Sequence, residues 1–494
     1  MTRVPSPPSP HAVNQSDEVI SLNPATGEVV ATFPATATAD AEHIVAKARQ
    51  AHVAWREAPV DERIALIERF AQYVEEHLDA LTQHISDEVG KPRWEAATEA
   101  KAVVGKAALA IRAHRELRSS DPIEMPGATG QRALVPLGVA LVLGPFNFPA
   151  HLANGQALPA LVAGNAVVFK PSEKAPATGQ WLADAWARAT GRPEVFQVVH
   201  GGRELAEALI DADIDAVLFT GGEPAGRAIH RRLAGRPEVL LALELGGNAP
   251  IVIHPDADPD AAAFQTLVSA YATSGQRCTC ARRMIVVEGS AGARGVDRLL
   301  SLLPGVSIGP PSQEPEPYAG PLIDDRAGQN VLDFQQRLID AGGKPLARCT
   351  PLHGQTNLLS PGVIDVTSLS ADERGDEEVF GPLLQVIRVK DLDAAYQEAD
   401  CTRFGLAASL IGGSEADFER FRQRVRAGVL NWNGPTTGAS GVLPFGGLKS
   451  SGNHRAAGYA MAHHVNDEAA EVRRPALARP ASWPTGITPP DDQP

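Results

Sequence analysis

Cysteine is scarce in this sequence: Cys278, Cys280, Cys349 and Cys401 are the four in 494 residues. Four at such spacing exclude a disulfide framework and fit a reducing cytoplasm. There is no long run of Lys and Arg, and the formal net charge is -14. That balance excludes a nucleic-acid-binding surface. Residues 1–17 lack the apolar stretch of a signal peptide and read as a Pro/Ser-rich tail. Residues 133–169 lack Asp, Glu, Lys and Arg altogether. A membrane span there is excluded by Pro136, Pro145, Pro149 and Pro159 and by the amides Asn147, Asn154 and Gln156. A buried parallel sheet explains the uncharged run.

What is present is ample apolar material, 44% of the residues, in a chain too long for one core. Residues 61–113 carry apolar side chains at steps of three and four and are expected to be helical. Residues 115–138, RELRSSDPIEMPGATGQRALVPLG, lose that period and read as an extended arm or hairpin. From Val139 short Val/Ile/Leu runs alternate with helical stretches: VALVLG, NAVVF, VFQVV, AVLFT and VLLALEL are the strands. This is the rhythm of a doubly wound α/β sheet, whose ligands sit at the carboxyl ends of the strands. A second α/β series starts at Ala249.

The turns after those strands hold the chemistry. PFNFP pins Asn147 between two prolines, where its amide can donate to a developing oxyanion. KPSE places Lys170 and Glu173 where ribose hydroxyls and phosphate would sit. GGEPAG, with Gly221, Gly222, Glu223, Pro224, Ala225 and Gly226, opens a helix and suits an approaching phosphate, or is a plain tight turn. No clear G-x-G-x-x-G is found. Glu244 interrupts an apolar strand; it is either a buried, hydrogen-bonded glutamate or a general base raised in pKa by burial. The stretch GQRCTCARR, residues 275–283, holds two of the four cysteines. It lacks the further ligands of a metal site, and an i,i+2 disulfide would be strained. Two inert cysteines or one nucleophile remain.

PFNFP, FKPSE, FTGG, LELGG, GQRC, EEVFGP and PFGG with KSSG occur in that order. The series resembles that of the aldehyde dehydrogenase superfamily, over residues 20–470. The resemblance implies a Rossmann-type cofactor domain (18–118 and 138–245), an α/β catalytic domain (246–454) and a small oligomerisation arm (119–137 and 455–472). Residues 1–17 and a Pro-rich stretch, 473–494, are tails. It implies Cys278 as nucleophile, Glu244 as general base 34 residues upstream, and Asn147 as oxyanion donor. Cys280 becomes a small core residue, and Arg282 and Arg283 members of structural ion pairs. Lys170, Glu173 and the turn Gly221, Gly222, Glu223, Pro224, Ala225 and Gly226 would hold the adenosine ribose and pyrophosphate, and Glu378 with Phe380 the nicotinamide ribose. Gly222 stands where many members have Ser, which removes a hydroxyl from the pyrophosphate site.

The implied activity is oxidation of an aldehyde to an acid. Glu173 beside the adenosine ribose favours NAD, because a carboxylate repels a 2′-phosphate. The implied partners are a small aldehyde and a second copy of the chain, in a homodimer or homotetramer, with no nucleic acid, membrane or metal. Longer stretches, among them GKPRWEAATEA, NWNGPTTGA and SGNHR, resemble one branch whose substrate is a semialdehyde bearing several carboxylates. Arg277 is a candidate to bind them, since arginine meets carboxylates bidentately, or else forms a structural salt bridge; His454 and Arg455 are further candidates, or structural residues. Arg277 and nearby helix ends would also lower the Cys278 thiol. Rivals are an enzyme for another acidic semialdehyde, an acylating coenzyme A-dependent enzyme, a thiol hydrolase and a silent binding protein.

Overall fold

A computed structural model describes residues 17–118, 122–454, 457–477 and 482–487. Two parallel sheets dominate it. The strands Val139–Leu143, Ala166–Lys170, Phe196–Val198, Ala216–Thr220 and Leu240–Glu244 form a five-stranded sheet. In space the Phe196 strand comes first, then the Ala166, Val139, Ala216 and Leu240 strands, all parallel. The order therefore reverses around Val139–Leu143. A crevice opens at such a switch point, beyond the carboxyl ends of the strands.

Four helices run between residues 41 and 118: Ala41–Glu57, Val60–Glu76, Leu78–Val89 and Arg93–Arg118. The breaks follow the sequence. Gly90 takes a left-handed backbone (φ 71°) and Pro92 cannot continue a helix. The first of these helices escapes the apolar-period reading because most of its buried stripe, Ala41, Val45, Ala48, Ala51 and Trp55, is alanine. The last one extends five residues beyond Ala113, to Arg118, where an extended arm was expected.

The second sheet has seven strands, in the order Lys344–Ala347, Gly362–Asp365, Leu383–Val389, Ala281–Val287, Ala249–Ile253, Ala407–Ile411 and Val429–Trp432. Only the Lys344 edge strand is antiparallel to its neighbour. Each sheet is coated on both faces by separate apolar clusters, as parallel sheets require. A three-stranded antiparallel sheet, Asn466–Arg473, Ala128–Pro136 and Ile123–Met125, stands apart from both. Residues 119–121, Arg455, and most of the two expected tails, 1–16, 478–481 and 488–494, lie outside the described residues. Among the described residues no helix is long and apolar enough to cross a membrane.

Candidate active site

The carboxyl ends of the five-stranded sheet face the turn that carries Cys278. That turn is tightly wound: Thr273, Ser274 and Gly275 all take positive φ, at 54°, 53° and 75°. For Thr and Ser this backbone is strained and must be held by its surroundings. Gly275 admits no side chain, since a Cβ there would lie 2.1 Å from the Gly381 carbonyl oxygen. The hydroxyl of Thr273 donates to Glu95 and that of Ser274 to the Gly320 carbonyl. Asn147 Nδ2 donates to the Gln276 carbonyl at 2.9 Å. Arg282 donates to the carbonyls of Gly275 (2.7 Å), Arg277 (3.1 Å) and Gly381 (3.1 Å). Its partners are thus carbonyls of the turn, where an ion pair was expected. Arg283 does form one, with Glu398 at 3.5 Å.

A cavity of about 870 Å³ joins the turn to the sheet. Cys278, Asn147, Lys170, Glu173, Gly221, Gly222, Pro224, Ala225, Glu244, Glu378 and Phe380 all line it. Of the remaining residues of the glycine turn, Gly226 is buried, and Glu223 is held by Arg227 and Arg403. Burial pushes the Glu244 carboxyl well above its usual range, opposed by the charge of Lys106. Among the described residues neither oxygen of the Glu244 carboxyl has a hydrogen-bond partner. Burial likewise pushes the Cys278 thiol up, and the carboxylates of Glu378 and Glu244 push it further. Glu378 is raised to about 7 by burial, with Arg282 opposing. A Cβ at Gly246 would overlap Glu378 Oε2 at 1.8 Å, so only glycine lets this carboxylate reach the Gly247 N–H, 3.2 Å away. Phe380 meets Phe146 edge to face at 5.9 Å.

A nicotinamide dinucleotide fits the other part of the cavity. The helix Glu223–Leu233 begins at Gly222 with no side-chain cap, and the positive end of its dipole at this cavity wall suits an anion. Lys170 Nζ donates to the carbonyls of Pro171 (2.9 Å) and Gly201 (2.7 Å), which leaves one donor. The exposed Glu173 carboxylate lies 3.9 Å from it.

The profile of the aldehyde dehydrogenase family matches residues 12–468. The chain belongs to this family. It is 49% identical over 451 residues to N-succinylglutamate 5-semialdehyde dehydrogenase 1 of Caulobacter vibrioides, covering 91% of this chain and 95% of that one. It is 43% identical over 466 residues to the N-succinylglutamate 5-semialdehyde dehydrogenase of Chromohalobacter salexigens, covering 94% and 95%. Among solved structures it resembles 1-pyrroline-5-carboxylate dehydrogenase from Thermus with bound NAD (TM-score 0.87, 29% identity, 92% of this chain and 90% of that chain).

Against this aldehyde dehydrogenase cavity, the three residues nominated for substrate carboxylates fare differently. Arg277 turns away from it: Nη2 pairs with the buried Glu95 at 2.7 Å, and Nε donates to Thr273. Its charge is therefore spent on Glu95 and does not appear among the influences on the neighbouring thiol, which rises instead of falling. His454, at φ 58°, lies against His464 with ring centroids 5.3 Å apart and does not line the cavity. Arg455 is outside the described residues. Cys280 is fully buried and within 3.6 Å of the Ala272 carbonyl.

The residue that sequence reasoning missed is Lys106, which lines the cavity from the helix Arg93–Arg118. Its signal was available. Lys106 stands three residues after Val103 and four before Ala110, both buried, so helical spacing puts it on the inward stripe. Glu95 and Glu99 share that stripe.

Proposed function

We propose that this chain oxidises N-succinylglutamate 5-semialdehyde to N-succinylglutamate with NAD, by covalent catalysis at Cys278. The observation that carries the reading is the convergence of Cys278, Asn147 and the unpartnered Glu244 on one cavity beside an uncapped helix N-terminus. The identity of 49% to a curated relative of that name, over most of both chains, supports the substrate.

The chemistry follows from the residues. The Cys278 thiol gives up its proton to Glu244, which passes it to solvent; the thiolate sulfur adds to the aldehyde carbon, and the carbonyl oxygen becomes an oxyanion. The Asn147 amide and the Cys278 N–H stabilise it, from a strand end and a turn that are both rigidly held. The nicotinamide, when bound, supplies the hydride acceptor that converts the adduct to a thioester. Glu244 then takes a proton from water, whose oxygen attacks the thioester carbon; the carboxylic acid leaves and the thiol is regenerated. A carboxyl group raised by burial is a stronger base than an ordinary one, which suits it to this step. Glu244 thereby favours hydrolysis over acyl transfer to coenzyme A. Glu173, positioned beside Lys170, favours NAD over NADP. Pairing of the three-stranded arms across a two-fold would give a homodimer or homotetramer in the cytoplasm.

The test is the initial rate of NADH formation with a panel of aldehydes, on wild type and Cys278→Ala. The expected result is highest kcat/KM with N-succinylglutamate 5-semialdehyde, abolished in the variant, and a lower kcat/KM with NADP than with NAD. Higher kcat/KM with succinate or glutamate semialdehyde would overturn the substrate and keep the mechanism. Absence of NADH with every aldehyde would overturn both.

A further inference from the structure

A lysine ammonium facing the cavity has no partner of its own. The helix Arg93–Arg118 sends Glu95, Glu99 and Lys106 inward. Glu95 is paired with Arg277 at 2.7 Å and Glu99 with Lys91 at 2.6 Å. Lys106 Nζ makes no hydrogen bond or ion pair with the described residues; Glu244 is the charge that supports it against burial. Among the other cations of the cavity, Lys170 is held by two carbonyls, Arg203 by Glu207 and Arg232 by Asp211, while Arg231 is exposed on the helix Glu223–Leu233. Lys106 is therefore the half-buried cation whose donors are all available to a ligand.

Space is kept open around it. Gly155 lies against the lysine stem, where a Cβ would be 3.3 Å from Cε and 3.4 Å from Nζ. Gly441 faces it from the opposite loop, where a Cβ would be 3.8 Å from Nζ. A side chain at Gly155 would press on the lysine stem, and one at Gly441 would come into contact with the ammonium and take up space beside it. The surroundings are positive as well: burial and the charges of Lys106, Lys91 and Arg277 hold His151 down to about 3, so that imidazole is neutral. Of those three cations, Lys91 and Arg277 are already neutralised by glutamates. A half-buried charge without a countercharge is costly until an anion arrives.

We infer that Lys106 is the anchor for a carboxylate of the aldehyde substrate, and that it, not Arg277, sets the preference for acidic semialdehydes. This rests on the proposed oxidation at Cys278, because Lys106 lines the same cavity as Cys278 and Glu244. The anchor selects by charge: an uncharged aldehyde leaves the ammonium unpaired, whereas a carboxylate completes it.

The experiment measures kcat and KM for N-succinylglutamate 5-semialdehyde, succinate semialdehyde and butanal in wild type, Lys106→Met and Lys106→Arg. NADH binding by fluorescence checks that each variant is folded. With Lys106→Met, kcat/KM for the carboxylated aldehydes is expected to fall about 10- to 100-fold, mainly through KM, the range of a charged hydrogen bond. Butanal is expected to lose far less, so the ratio of carboxylated aldehyde to butanal collapses. Lys106→Arg restores part of that ratio. An equal loss for all three aldehydes in kcat would overturn the anchor and make Lys106 a positioning residue for Glu244. If Lys106→Met fails to bind NADH, Lys106→Gln gives the same ratio. A wild type that prefers another carboxylated aldehyde would overturn the proposed substrate while leaving the ratio test decisive.

Discussion

Two sets of buried carboxylates lie within this one chain, and they are treated in opposite ways. Glu95 and Glu99, on the helix Arg93–Arg118, are each paired with a cation. Glu99 binds Lys91 and accepts from the N–H groups of Ala150 and His151, each at 3.1 Å. Glu95 binds Arg277 and the Thr273 hydroxyl. Glu244 and Glu378, across the cavity, are starved: among the described residues the Glu244 carboxyl has no hydrogen-bond partner, and the Glu378 carboxyl accepts from the Gly247 N–H. A buried carboxylate paired with a cation and hydrogen-bonded to its neighbours fixes geometry. One left without partners is pushed toward the neutral acid, which makes it a stronger base when it ionises. The same residue type thus builds the frame on one side and the chemistry on the other.

The largest break in this comparison comes from Glu244→Gln. The amide keeps the shape and loses the base. Steady-state NADH formation should fall about 100- to 1,000-fold, in the lower part of the range for a lost general base. A first turnover of NADH should persist, because a thiol that loses its proton to solvent directly still forms the thioester, which then waits for water. Stopped-flow absorbance at the NADH band separates the two phases. Loss of the first turnover to the same degree would make the thiol's proton, and not water's, the one that most needs Glu244.

Glu99→Gln breaks the other side. It leaves the Lys91 ammonium buried without a countercharge, at side-chain exposures of 2% and 0% for the pair. Removing one partner of such a pair costs about 3 kcal/mol. Chemical denaturation should show a lowered midpoint of that size, with kcat of the folded protein reduced far less than in Glu244→Gln. A collapse of kcat with unchanged stability would mean that Glu99 belongs to the chemistry after all.

How much of this contrast was legible beforehand differs between its sides. Glu244 stands out in the sequence because a charge in an apolar strand has few innocent explanations. The alternating strands placed Asn147, Lys170 and the glycine turn at strand ends, and in the five-stranded sheet those ends converge. Glu95, Glu99 and Lys106 were passed over because charges in a helix read by default as a solvated face. Their partners are distant: Thr273 meets Glu95 across 178 positions, and Ala150 meets Glu99 across 51. Arg277, open in the sequence between a substrate contact and a salt bridge, takes the salt bridge for a related reason. Adjacency to Cys278 in the chain fixes no direction, and the left-handed turn at Thr273, Ser274 and Gly275 swings its side chain to Glu95.

A subtler contrast can be read through pH. Glu378 rises to about 7 in the folded chain, from an ordinary value of 4.5. The folded state therefore binds this proton more tightly than the unfolded state does. Stability from this group is fully present below pH 4.5 and is lost as pH rises through 7. Across that window the slope approaches about 1.4 kcal/mol per pH unit against stability. Glu378→Gln cannot ionise, so the difference in stability between variant and wild type should grow in the variant's favour from pH 5 to 7. Denaturation curves at half-unit steps test this. A constant difference across the window would mean that Glu378 keeps an ordinary pKa.

The smallest effect belongs to Gly222, where the helix Glu223–Leu233 starts without a side-chain cap. Its backbone, φ -71° and ψ 146°, is open to any residue, and a Cβ would come no closer than 3.8 Å to Pro224. Serine therefore fits without strain and adds a hydroxyl at an N-cap position. That hydroxyl can accept from the Ala225 N–H, which otherwise donates to the residue 222 carbonyl at 3.1 Å, for a few tenths of a kcal/mol of stability. It can also donate to a pyrophosphate seated there. Gly222→Ser should raise the melting temperature slightly and lower KM for NAD by about threefold or less, with kcat/KM for the aldehyde at saturating NAD little altered. Gly222→Ala supplies the control, since it adds the same Cβ without the hydroxyl. If alanine lowers KM for NAD as much as serine does, stiffening of the turn is the cause. If only serine does, the bare helix end at Gly222 is a weakened phosphate site, and the starved side of the cavity extends to its cofactor.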